Sequence, residues 1–117
     1  MQRLLKELID IRDHCNHPSW DGYSAAMISE PSWEKAYSYA QKLPDNRKLT
    51  NVTVERHTGF VSFSWGSIKR NYVSIKFIEE AGDIVSCMYG GAGHFNTNIV
   101  SLSDKRVKDM IGGLDAI

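Results

Sequence analysis

Apolar residues along the first third of the chain return every three or four positions, and along the middle third they alternate with polar ones. From Gln2 to Cys15 the steps Leu4, Leu8, Ile11 and Cys15, widened by Leu5 and Ile9, predict an amphipathic helix. Asn16, His17 and Pro18 end it, because the residue before a proline is pushed away from helical dihedrals. A second start signal follows. Ser29 offers a capping hydroxyl, Glu30 suits the positive end of a helix dipole, and Pro31 is tolerated in a first turn whose amides lack partners. Trp33, Ala36, Tyr37, Ala40 and Leu43 then keep helical spacing as far as Pro44-Asp45-Asn46.

After Lys48 the period shortens to two. Val52 and Val54, then Val61, Phe63 and Trp65, alternate with polar residues across Thr58-Gly59, the pattern of a hairpin. Tyr72 to Ile78 predicts a third strand with Val73, Ile75 and Phe77 on one face, and Glu79 to Asp83 reads as the connection to a fourth, Ile84 to Tyr89. Gly90-Gly91-Ala92-Gly93 is expected to break that strand as a loop of unusual backbone shape, with His94 to Val100 returning as a short fifth strand. Ser103 is placed to cap a last helix with Val107, Met110, Ile111 and Leu114 on its stripe, frayed by Gly112-Gly113. Helices grouped around a run of strands predict an α+β fold of one domain, residues 1–117, with an antiparallel meander of four or five strands whose Val61, Phe63, Trp65, Val73, Ile75 and Phe77 face is buried.

Between the first two helices lies a stretch with neither period, Trp20-Asp21-Gly22-Tyr23-Ser24-Ala25-Ala26-Met27-Ile28-Ser29. Asp21-Gly22 is a turn signal, since glycine accepts positive φ and aspartate bonds nearby backbone amides. The stretch reads as an ordered joint. Trp20, Tyr23, Trp33, Tyr37 and Tyr39 crowd around it, and these are residue types that interfaces use for large, rigid contacts. The alternative is that Trp20, Tyr23 and Trp33 pin the joint and second helix to the sheet.

The 117 residues, 42% hydrophobic and 24% charged, have the composition of a globular protein. Fourteen basic and fourteen acidic side chains cancel, so no net field draws the chain to nucleic acid or an anionic membrane, and self-association meets little repulsion. Two widely separated cysteines, Cys15 and Cys87, make no disulfide framework and point to a reducing, cytoplasmic setting; no apolar run of membrane-spanning length occurs.

Candidate chemistry is sparse. His14, Cys15, His17 and Asp21 include metal-binding types, but no Cys-x-x-Cys pair anchors a four-ligand site, and histidines at a helix end suit its negative dipole terminus. Cys87 and His94 would serve as nucleophile and base if they met, although a cysteine in an apolar strand pattern is ordinarily core. The glycine run lacks the Gly-Lys-Ser/Thr of a phosphate loop and the spacing of the dinucleotide fingerprint. Arg70 to Phe77 lacks the glycine and alternate aromatics of an RNA-reading strand, and Lys69-Arg70 and Lys105-Arg106 with Lys108 are small basic patches. No metal or cofactor is expected.

Trp20-Asp21-Gly22-Tyr23, Ala25 and Ile28-Ser29, followed by Leu43-Pro44, a strand ending at Trp65 and the Val73-Ser74-Ile75 strand, resemble a widespread group of small, uncharacterised bacterial proteins with a Trp-Asp-Gly-Tyr-x-Ala-x-x-Ile-Ser signature. The resemblance covers roughly residues 15 to 90 and transfers no catalytic residue. It implies cargo of mobile bacterial genomes, in a toxin, antitoxin, defence or anti-defence role. The expected function is therefore non-enzymatic: a protein-interaction module, an inhibitor or antitoxin, binding its partner through Trp20, Tyr23, Tyr39, Gly91, His94 and Phe95. The rivals are a small hydrolase-like enzyme using Cys87 and His94 or a metal at His14 and His17, and a nucleic-acid binder working through the basic patches.

Overall fold

The computed structural model describes residues 3–23, 25–42, 49–66, 72–80, 82–91 and 93–102. Two helices, α1 (Arg3–His14) and α2 (Glu30–Lys42), precede five strands, β1 (Leu49–Val54), β2 (Val61–Gly66), β3 (Tyr72–Phe77), β4 (Ile84–Gly91) and β5 (His94–Ser101). The strands form one antiparallel sheet in chain order, and the helices pack on each other and over β1 to β3. The α+β meander expected from the alternation is present with five strands. The helix expected after Ser103 lies outside the described residues.

Val61, Phe63 and Trp65 of β2, Val73, Ile75 and Phe77 of β3, and Val85 and Cys87 of β4 share the face beneath the helices, and all are buried. Phe63 stands edge-on to Phe77 at 4.8 Å and to Trp65 at 6.1 Å, geometry in which the positive rim of one ring meets the negative face of the next. From above, α1 contributes Leu4 and Leu8, and α2 contributes Trp33, Ala36 and Ala40. Ser32, Ala36 and Ala40 recur every four residues and are fully buried, so α2 meets the sheet along a strip of small side chains that permits close approach. Ile9, expected to widen the α1 stripe, is 36% exposed.

Hydrogen bonds fix these layers in register. The Ser29 hydroxyl accepts from the Ser32 amide, the N-cap bond expected of it, and donates to Glu79 beyond β3. The buried Ser32 hydroxyl accepts from the Val61 amide, closing the first open donor of β2. The Trp33 indole donates to the Leu8 carbonyl, tying α2 to α1 at 2.8 Å.

One sequence expectation is corrected. Gly90 and Gly91 do not break the fourth strand: β4 runs through both, paired with Phe95 and His94 of β5, and the reversal comes only after the Gly91↔His94 pair. Gly90 has φ +144, and a Cβ there would collide with the His94 carbonyl. The glycine is thus what lets the two backbones close together, not a point of rupture.

Candidate functional site

The joint between α1 and α2 is held from three sides. Within it, the Ser19 amide donates to Ala25 and the Gly22 amide to Ser19, with Ser19 at φ 59 and Gly22 at φ 81, which folds the chain back on itself. Ile28 donates to the Cys15 carbonyl at the end of α1, and Ala26 and Ser29 donate to the Arg56 and Gly59 carbonyls of the β1–β2 turn. Gly59, at φ 76, is pressed so close to the Met27 carbonyl that a Cβ would overlap it. The Trp20 indole donates to Ala26 at 2.8 Å, its ring packed on the core and met edge-on by His14.

Asp21 organises the surface of this joint. Oδ1 accepts from the Tyr23 amide at 2.9 Å and the Ala25 amide at 3.3 Å, while Oδ2 accepts from Arg56 Nε at 2.9 Å. The Tyr23 amide, followed by Arg56 and the Ala25 amide, holds the Asp21 carboxyl below the usual aspartate range, against the opposing effect of burial. The same arginine lies over the Tyr23 ring, 6.0 Å from its centroid. Backbone and side chain of Tyr23 are therefore both steered by Asp21 and Arg56, yet the residue is 79% exposed, and Met27 nearby in the chain is 50% exposed. Arg56 and Met27 escaped the sequence reading. Arg56 is 35 positions from Asp21, and Met27 sits among residues that otherwise turn inward.

The six residues expected at a partner surface divide between separate parts of the fold. Tyr23 stands on the joint, beside the β1–β2 turn. Trp20 and Tyr39 are partly buried against the core; Tyr39 leans on Phe77 at 5.9 Å, and burial, with Cys87 nearby, raises its pKa. Gly91, His94 and Phe95 lie at the β4–β5 turn, at the other end of the sheet and on its far edge. Phe95 meets Tyr72 edge-on at 6.2 Å, the two rings flanking Gly90 on the face away from the helices.

The side chains considered for chemistry do not converge. Cys87 is 1% exposed and pairs with Asn98, whereas His94 is exposed and pairs with Gly91, four positions along β4, or about 13 Å at the usual strand rise. Burial raises the pKa of both Cys87 and Cys15, the opposite of what a reactive thiolate requires. His17 Nδ1 lies 3.2 Å from the Pro18 carbonyl, His14 packs on Trp20, and Asp21 is engaged as above. No three His, Cys, Asp or Glu residues among those described gather at one point. Lys69-Arg70 and Lys105, Arg106 and Lys108 lie outside the described residues. No described helix is long and apolar enough to cross a membrane.

Comparison of the chain with protein-family models, curated proteins and solved structures finds no match.

Proposed function

We propose that this protein is a non-catalytic interaction module that blocks or neutralises a protein partner by presenting the joint between α1 and α2. The observation that carries the reading is Tyr23, 79% exposed on a backbone held by Asp21, with the Arg56 guanidinium 6.0 Å from its ring centroid. An aromatic side chain on a backbone already fixed loses less conformational freedom on binding than one on a mobile loop, which favours it as a contact point. Met27 adds apolar surface, and the Asp21–Arg56 pair supplies a charge-balanced rim. That combination suits a protein surface with an apolar pocket better than a polyphosphate backbone, which selects clustered positive charge. The inhibitory or antitoxin part of this proposal rests on the resemblance of Trp20-Asp21-Gly22-Tyr23 and the residues after it to small bacterial proteins with that signature, and on nothing in the fold.

The test is capture from a lysate of the organism that encodes the chain, with immobilised full-length protein and the Tyr23→Ala and Met27→Asp variants. A specific protein retained by the native chain and lost at least tenfold with either variant, at unchanged melting temperature, is the expected result. Retention unaffected by both substitutions overturns the joint as the contact surface.

A further inference from the structure

Two edges close the sheet, and they differ. β1 is six residues long, and its pairing with β2 is interrupted by a register shift between Leu49 and Asn51, an irregularity of the kind that discourages further strand addition. β5 is eight residues long and pairs with β4 without interruption from Gly91↔His94 to Ile84↔Ser101. Its sequence, His-Phe-Asn-Thr-Asn-Ile-Val-Ser, contains no proline, lysine, arginine, aspartate or glutamate. Every side chain from His94 to Ile99 is exposed. Among the described residues none of the usual protections of an edge strand is present: no proline, no charged side chain, no bulge and no covering element.

The free edge is self-complementary. In a hairpin with a two-residue turn the flanking pair, here Gly91 and His94, exchange hydrogen bonds, so alternate residues of β5 address β4 and the others point outward. The outward set includes Phe95, Thr97 and Ile99, and among the described residues no hydrogen bond outside the ladder reaches them. This set is symmetric about Thr97. A second β5 laid antiparallel across a two-fold axis at Thr97 sets Thr97 against Thr97, and Phe95 against Ile99 on either side, each an exchanging pair. Phe95 and Ile99 are the exposed large apolar residues of this strand, 38% and 63% accessible, and both face away from the helices. On the opposite face the same register sets Asn96 against Asn98 and His94 against Val100, with no charge opposing its like.

We propose that β5 is a homodimerisation edge: two copies of this chain join β5 to β5 antiparallel, centred on Thr97, into a continuous ten-stranded sheet. The inference is independent of the joint surface, because it concerns the pure chain with no partner present. One pair of strands buries less area than a standard protein interface, so the dimer is expected to dissociate on dilution in the micromolar range, on the order of 10 µM.

The experiment is sedimentation of the full-length chain from about 1 to 300 µM, together with Thr97→Pro and Ile99→Lys. Proline at position 97 removes an outward amide that the monomer does not use in the β4 ladder, and Ile99→Lys places a charge on an exposed site, so both variants are expected to keep the native circular dichroism. The native chain should shift from monomer to dimer, with both variants at least tenfold weaker in association, and protection of the Phe95, Thr97 and Ile99 amides should rise with concentration. A native chain that stays monomeric throughout overturns the proposal, as does a dimer that both folded variants retain. Should Thr97→Pro unfold, Ile99→Lys and the concentration-dependent amide protection decide the matter.

Discussion

Asp21 shows how one side chain converts an irregular stretch into a defined surface. Its two oxygens take three donors from two parts of the chain, and without them Tyr23 and Ala25 would have amides to satisfy elsewhere. Because the Tyr23 amide and then Arg56 lower the folded-state pKa, the carboxylate binds its proton less readily in the folded chain than in the unfolded one, where it titrates near 3.9. The stability this provides is fully present above the unfolded value and is lost as pH falls through the folded one. Urea midpoints of the native chain and Asp21→Asn should therefore differ by a constant amount from about pH 5 to 8. The difference should shrink below about pH 4. A gap that persists undiminished in acid would mean that the charge of Asp21 contributes nothing to holding the joint.

At the level of elements, α2 ties together α1, the β2–β3 part of the sheet and the β3–β4 connection. Its cap reaches Glu79, Ser32 reaches β2, Trp33 reaches α1, and Lys35 Nζ donates to the carbonyls of Ile78, Glu80 and Ile84 at 2.9, 2.7 and 2.8 Å. Burial pulls the Lys35 pKa down, while Asp83 and Glu80 push it back. Lys35→Met keeps the aliphatic stem but strands three carbonyls of the β3–β4 connection, and should lower stability by about 2 kcal/mol. Denaturant titration gives the loss, and faster amide exchange in residues 78–84 than elsewhere would locate it. An unchanged exchange pattern would mean that the connection holds its shape unaided. Much of this framework was legible beforehand: Val61-Ser62-Phe63-Ser64-Trp65 alternates so plainly that one face had to be buried, and Ser29-Glu30-Pro31 marks a helix start. What could not be read depends on spatial neighbours. Lys35 looks like an ordinary helix-surface lysine until the β3–β4 connection arrives beneath it. Gly90-Gly91 looks like a break until β5 lies alongside and leaves no room for a Cβ. The Asp21-Gly22 turn was visible, but its arginine came from the far end of a hairpin.

The whole molecule is built asymmetrically, and its two cysteines report on the difference. The helices lie over β1 to β3, where Phe63, Ile75 and Phe77 are fully buried, while β5 extends beyond with both faces exposed along most of its length. Cys87 is buried on the helix-facing side of β4, opposite Ile75, so a reagent reaches it only when the sheet and its cover separate. Cys15 is also buried, but it sits where α1 runs into the joint, and its carbonyl is tied to Ile28. Its cover is the joint rather than the sheet, and an irregular segment held mainly by hydrogen bonds is expected to open at lower free energy than the packed strands. Native-state alkylation near pH 8, followed by mass spectrometry, should modify Cys15 well before Cys87, with both slower than a free thiol because burial raises their pKa values. Sub-denaturing urea should accelerate Cys87 in proportion to the global unfolding constant and affect Cys15 much less. Asp21→Asn should speed Cys15 and leave Cys87 close to its original rate. Equal rates at the two thiols, rising together with urea, would show instead that joint and sheet open as one unit, and the exposed Tyr23 would then rest on a surface as firmly held as the core itself.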